Sequence, residues 1–445
     1  MKSSAGARIL AWVLSALVAA APAATCAAAD FDFWYAHGGI YAQAIESMCA
    51  NFNAASLQDH VHCFPQGTYE QTLRKTVAAY RAGRQPALVE IYDIGSADML
   101  LSGAVYPVDT LMQAMGHPID ASDYLKGIRR FYATENGRLL SQPFSASTLV
   151  LYANRQKLTA VGVDHLPQTW EAFEAAMEAL HAHGKSCPAV SDYTPWKMLE
   201  QINAVQGAPI ASANNGHEGL QARYEFADGV HRRFMNDVAR WYSRGLLVPA
   251  IMTRANDQTL AFADGECAMS VDATGAYAIV KKAGLVDAEV GLLPVYAGTK
   301  RYGTTIGGSS LWVLKGQSAS VYPAVARFLA YLHDPRQQLM FARRTGYLPL
   351  THQAEEVLTI APDAEPDAIR VGLASLELPD NDYNAGIRLG FTSLFRLIWQ
   401  DEVQRALGGK ETMDAALENA QAHGNRLLER FQATYMAAPQ AEAGP

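Results

Sequence analysis

"RQPALVEIYDIG", residues 84–95, decides the architecture of this chain. Ala87, Leu88, Val89, Ile91 and Tyr92 form a short apolar run behind Pro86, which reads as a strand covered on both faces. Asp93 stands at its exit, just before Ile94 and Gly95. A carboxylate there either caps the next helix or faces something entering from solvent. Ser96 is an equally good cap, so both readings stay open.

Working outward, short apolar runs alternate with amphipathic helices, the pattern of an α/β protein. "FDFWYAHGG" (31–39) reads as a first strand and glycine turn, followed by a helix over 40–52. "YEQTLRKTVAAYRAG" (69–83) is a helix with Leu73, Val77 and Tyr80 on one face and Gly83 as its stop. "QTWEAFEAAMEALHAHG" (168–184) is another, with Trp170, Phe173, Met177 and Leu180 on one face. Later strands are expected in "ECAMSV" (266–271), "EVGLLPV" (289–295) and "SSLWVL" (309–314). The remainder is largely helical: 322–332, a restart after Asp334-Pro335, 391–407 and 412–431.

The chain has 445 residues, 49% hydrophobic and 18% charged, enough apolar material for a large core. A formal net charge of −8 argues against a nucleic-acid partner bound through a basic surface. Residues 1–29 read as a secretory signal: Lys2 and Arg8, an apolar stretch from Ile9 to about Ala20, then Ala27-Ala28-Ala29 as cleavage site. Cys26 raises a lipid anchor as the alternative, although Ala23 and Thr25 fit a lipobox poorly. The remaining Cys49, Cys63, Cys187 and Cys267 allow three disulfide pairings in an oxidising compartment. Cys49–Cys63 with Cys187–Cys267 joins neighbouring segments, and buried free thiols are the other possibility. "AAPQAEAGP" (437–445) reads as a flexible tail.

Enzyme signatures are missing: there is no G-x-S-x-G, no H-E-x-x-H and no G-x-G-x-x-G, and "HGKS" (183–186) lacks the upstream glycine of a phosphate loop. In "HVHC" (60–63), His60, His62 and Cys63 could offer metal ligands, because alternate strand residues share a face. The simpler reading, a partly exposed strand whose cysteine is bonded elsewhere, is adopted, and no metal or cofactor is assigned. More informative are hydroxyls and glycines at presumed strand ends: Ser145, Ser147 and Thr148 in "SQPFSASTLVLY", and Gly307, Gly308, Ser309 and Ser310 in "IGGSSLWVL". Such stretches can hold an anion through N–H and hydroxyl donors.

Together with "YEQTL", "FADGECAMS" (262–270), "RRTGYLPLT" (343–351) and "GIRLG" (386–390), these stretches resemble the periplasmic solute-binding proteins of ABC transporters, in their sn-glycerol-3-phosphate-binding branch. The resemblance runs over nearly all of the chain beyond the signal. It implies a non-enzymatic, monomeric protein with two α/β lobes of discontinuous segments and a hinge, 30–144 with 288–316 and 145–287 with 317–436. Its ligand would be a small glycerol phosphate, handed to permease subunits driven by a cytoplasmic ATPase.

Carried over by position, the resemblance puts Tyr69 and Asp93 on glycerol hydroxyls, and Ser147, Gly308, Tyr347 and Arg396 around the phosphate. Trp196 would stack on the ligand or on a choline group. Tyr193 and Thr274 complete the expected set. Arg396 sits in an apolar helix, where an intramolecular carboxylate is the competing partner. Three positions depart from the branch: Asp93 where it usually has Glu, Tyr193 where it has Trp, and Ala273 where it has Ser. Asp272 beside Ala273 would repel a dianionic monoester more than a monoanionic diester, which makes a glycerophosphodiester at least as good a ligand. A sugar binder on the same scaffold and a secreted phosphodiester hydrolase are the alternatives.

Overall fold

The computed structural model describes residues 29–134, 136–359 and 367–436. The expected signal, apart from Ala29, lies outside these residues, as do Cys26 and the expected tail. Eleven strands form two sheets. They are β1 (Ala29–Tyr35), β2 (Asp59–Pro65), β3 (Leu88–Tyr92), β4 (Val105–Tyr106), β5 (Gln142–Ser147), β6 (Leu149–Asn154), β7 (Ala189–Ser191), β8 (Leu247–Pro249), β9 (Met269–Ala273), β10 (Ala288–Leu292) and β11 (Gly307–Leu314). The first sheet runs β2-β1-β3-β11-β4 with β5 paired to β11, and the second runs β10-β6-β9-β7-β8. Helices cover both, giving a two-lobed α/β architecture.

The stretch at 84–95 becomes β3 because it lies between β1 and β11, where all five residues are buried. The preceding helix, Tyr69–Arg81, starts on a capping box in which the Thr68 hydroxyl accepts from the Gln71 N–H while the Gln71 side chain accepts from the Thr68 N–H. Gly83, at φ 65°, ends that turn in the left-handed region.

The expected lobe boundaries do not coincide with the division between the sheets. β5 runs to Ser147 within the first sheet, and Thr148 alone separates it from β6 in the second. β10, expected in the first lobe, pairs antiparallel with β6, from Ala288 opposite Asn154 to Leu292 opposite Val150. The helices Val321–His333 and Pro335–Thr345, expected in the second lobe, cover the first sheet. Phe328 packs edge-on against Phe31 and Phe52 at 5.9 and 5.0 Å, and Phe341 lies 5.1 Å from Phe144. Aromatic packing recruits these helices to the sheet that offers matching rings, regardless of chain order. The helix Thr392–Leu407 packs instead on Met413–Met436 and on Gly229–Ser243.

Disulfides join Cys49 to Cys63 and Cys187 to Cys267. Each ties a strand region to its own lobe rather than bridging the two. No helix among the described residues is long and apolar enough to cross a membrane.

Candidate functional site

A cleft of about 250 Å³ is lined by Tyr69, Tyr92, Asp93, Ser147, Thr194, Trp196, Gly307, Gly308, Tyr347 and Arg396. It lies at the C-terminal end of β3 and the N-terminal end of β11, and a turn from the second lobe closes one side. Open α/β sheets commonly place ligands outside the carboxyl ends of their strands.

Of the two readings of Asp93, the structure has the cleft residue: it lines the cleft, and neither helical turn after β3 has a side-chain cap. Asp93 Oδ1 accepts from the Ile94 N–H at 2.6 Å, within the 3-10 turn Asp93–Gly95, and its Oδ2 accepts from the Gly308 N–H at 3.3 Å. Burial pushes its carboxyl up to about 6, and the nearby Arg396 guanidinium opposes that rise. Tyr69 begins its helix and also reaches the cleft. Its ring stacks on Tyr92 at 5.3 Å and meets His37 edge-on at 4.2 Å. The Tyr69 hydroxyl is buried beside Ser145 and Tyr347 with no well-formed hydrogen bond. A buried, unpartnered hydroxyl is costly unless an incoming group satisfies it.

Trp196 opens a π-helical turn, Trp196–Gln201, a local distortion often found at functional sites. Its indole lies against Gly307, where a Cβ would come within 2.4 Å of Nε1. Only glycine lets ring and backbone approach so closely, and Nε1 itself has no partner. Gly308, at φ 149°, has no room for a side chain either, since a Cβ would stand 2.0 Å from the Ser145 carbonyl oxygen. Its N–H, expected on the phosphate, is directed at Asp93 instead. The Ser147 hydroxyl donates to the Gly307 carbonyl at 3.3 Å.

Arg396 brings the positive charge and does not bring it free. Its Nε and Nη2 donate to Glu200 Oε1 and Oε2 at 2.8 and 2.7 Å, a two-pronged ion pair between largely buried partners. The competing intramolecular carboxylate is thus real, yet the guanidinium still lines the cleft.

Two expected residues are placed elsewhere. Tyr193 adopts φ 53°, which turns its side chain into the second-lobe core, where its hydroxyl donates to the Leu247 carbonyl at 3.0 Å. Thr194, one residue on, reaches the cleft in its place. Thr274 is fully buried behind the cleft: its N–H donates to the Thr148 carbonyl at 2.9 Å, and its methyl packs against Gly372. Asp272 is likewise out of reach. It is 5% exposed, pairs with the buried Lys197 at 2.8 Å, and accepts from Thr259 at 2.7 Å. Asp272 does not line the cleft and shares the Lys197 ammonium with Asp192, so it is not the carboxylate that a bound phosphate would meet first. Tyr92, Thr194 and Gly307 were not expected in the set; each stands next to, or two residues from, a residue that was.

Below the cleft, Glu90 holds the floor together. It is 1% exposed, accepting from the Ala36 N–H at 2.8 Å and the Ser309 hydroxyl at 2.6 Å. Ser309 in turn shares a 2.7 Å hydrogen bond with Ser145, beside Tyr69 and Tyr347. Burial raises the Glu90 carboxyl from 4.5 to about 7. The folded state therefore holds a proton that the unfolded state has lost, and stability falls as pH rises across that window. Glu90→Gln is expected to flatten this fall, whose contribution is at most about 1.4 kcal/mol per pH unit. Urea unfolding of both proteins at several pH values between those limits measures it, and equal slopes would remove Glu90 as the cause.

A family model described as bacterial extracellular solute-binding protein matches residues 47–368. The sn-glycerol-3-phosphate-binding periplasmic protein UgpB of Yersinia pseudotuberculosis is 32% identical over 413 residues, covering 91% of this chain and 94% of that protein. UgpB of Escherichia coli K12 is 31% identical over the same length and shares. Among solved structures, UgpB from Mycobacterium tuberculosis in complex with glycerophosphocholine superposes with a TM-score of 0.75 at 21% identity, over 91% of this chain and 100% of that one. The sugar-binding protein MalE of Xanthomonas citri gives 0.74 at 17% identity, over 92% and 100%. At such identities the structural likeness speaks for the fold.

Proposed function

The chain belongs to the bacterial extracellular solute-binding proteins, and from that premise we propose that it captures a glycerol phosphate compound in the periplasm and delivers it to the permease of an ABC importer, without catalysing a reaction. The ligand class is sn-glycerol-3-phosphate or a glycerophosphodiester such as glycerophosphocholine, the compounds in the names of its relatives and of one structural neighbour. The observation that carries this reading is Arg396, a guanidinium lining the same cleft as Asp93 and the tyrosines Tyr69 and Tyr347. A guanidinium suits phosphate oxygens, and a carboxylate with phenolic hydroxyls suits a polyol. A thermal-shift panel tests it. Glycerophosphocholine or sn-glycerol-3-phosphate at about 100 times its dissociation constant should stabilise the protein by about 2.7 kcal/mol, while maltose should do nothing. A response to maltose alone would replace this reading with a sugar binder, which the neutralisation of Arg396 by Glu200 favours.

The charges favour the diester. One cation, Arg396, stands with two carboxylates, Glu200 and Asp93, so a dianionic monoester meets more repulsion than a monoanionic diester. Lowering the pH from about 8 to about 5 protonates Asp93, and also the monoester, whose second pKa is about 6. Monoester affinity should therefore rise relative to diester affinity on acidification. Calorimetric titrations of both ligands at the two pH values measure the ratio, and a constant ratio would contradict the charge argument.

A further inference from the structure

At the end of the first sheet opposite the cleft, two imidazoles and a carboxylate converge on one exposed face. β2 is the edge strand, and His60 and His62, two residues apart, project from the same side of it. β1 runs parallel to β2 with Asp30 opposite His60. The imidazole rings are 4.6 Å apart, His62 Nε2 lies 3.7 Å from Asp30 Oδ2, and the three residues offer donor atoms all within 4.8 Å of one another. Cys63, which could have been a ligand, is bonded to Cys49.

The backbone under these side chains is held from both sides. The Cys49–Cys63 disulfide pins β2 to the helix Gly39–Ala55 just after His62. Between the two histidines, the Asn53 side chain of that helix accepts from the Val61 N–H at 2.8 Å and donates to the Val61 carbonyl at 3.0 Å. The Asn53 amide nitrogen also lies 3.3 Å from His60 Nε2, a contact that a metal on that nitrogen would displace. A register locked in this way keeps the three donors together without metal, which lowers the cost of binding one.

We propose that Asp30, His60 and His62 form a surface site for a divalent transition-metal ion, Zn²⁺ foremost. Two imidazole nitrogens and one carboxylate oxygen are a ligand set for zinc, with Cu²⁺ and Ni²⁺ as competitors, and a poor one for Mg²⁺ or Ca²⁺, which want oxygen alone. Three protein ligands leave a position open to water or to a donor from outside. Bound metal would clamp the edge strand to its neighbour. The site lies toward the N-terminal ends of the parallel strands β1 and β2, whereas the cleft opens at the C-terminal end of β3, which runs parallel to β1, so metal and solute bind independently.

The test is calorimetric titration of the EDTA-treated, disulfide-intact protein with ZnCl₂, and separately with MgCl₂. Saturable zinc binding with no magnesium heat is expected, together with a higher unfolding temperature in zinc. His62→Ala should abolish the saturable heat, and Asp30→Asn should weaken it by about tenfold. Both substitutions are at the surface and should leave the metal-free unfolding temperature unchanged. No saturable zinc binding would overturn the proposal. So would zinc binding that survives in a His60→Ala/His62→Ala variant, since it would then belong to other donors.

Discussion

Replacing Arg396 with alanine is expected to abolish the response to phosphorylated ligands and to destabilise the apoprotein at the same time. Both effects come from one side chain. Arg396 is the cation of the cleft, and it also neutralises Glu200, which is 6% exposed. Removing it strands a carboxylate in a largely buried position near Asp93, and breaking buried pairs in this way typically costs about 3 kcal/mol or more. Arg396→Lys separates the two effects. It keeps a positive charge and most of the stability, but a lysine ammonium cannot form the two-pronged contact with Glu200 while still facing a ligand. Denaturant unfolding reports the first effect and calorimetry the second. A folded Arg396→Ala protein that still binds its phosphorylated ligand with unchanged affinity would remove Arg396 from the site.

The second large effect concerns the covalent frame. Cys187–Cys267 closes 80 residues of chain, and Cys49–Cys63 closes 14. Loop-closure entropy assigns these about 4.5 and about 3 kcal/mol. A Cys187→Ser/Cys267→Ser protein is thus expected to lose more stability than Cys49→Ser/Cys63→Ser. The longer loop contains Trp196, Glu200 and Lys197, so its loss should also weaken ligand binding. The shorter loop contains no cleft residue. Urea midpoints of the two double variants, with ligand titrations on each, check the order. A larger loss from the 49–63 pair would show that strand packing, and not chain entropy, sets the scale.

Part of the site was legible because its residues sit where local patterns change. Asp93 at the exit of a buried strand, and the glycines and hydroxyls at the start of β11, are signals a short window carries. The site roles of Tyr69, Ser147, Trp196, Tyr347 and Arg396 come from the family resemblance, and the approach of Gly307 to the Trp196 indole joins segments far apart in the chain. Other features depend on partners far along the chain. Nothing near Asp272 reveals Lys197, and nothing near Arg396 reveals Glu200, 196 residues earlier. Those two ion pairs decide which charges reach the cleft. They move the argument for a diester from Asp272 to the trio Arg396, Glu200 and Asp93. Tyr193 was misplaced for a different reason: a single residue at positive φ turns its side chain away and brings Thr194 round. Helices 321–333 and 335–345 join the first sheet through Phe328 and Phe341, and ring packing between distant segments leaves no mark in either segment alone.

The most direct measurement is a calorimetric titration of the wild-type protein with glycerophosphocholine, sn-glycerol-3-phosphate and maltose in one buffer near neutral pH. The expected result is one site per chain for the diester, weaker binding of the monoester and no heat from maltose. Saturable binding of maltose with none of either phosphorylated compound would contradict the account.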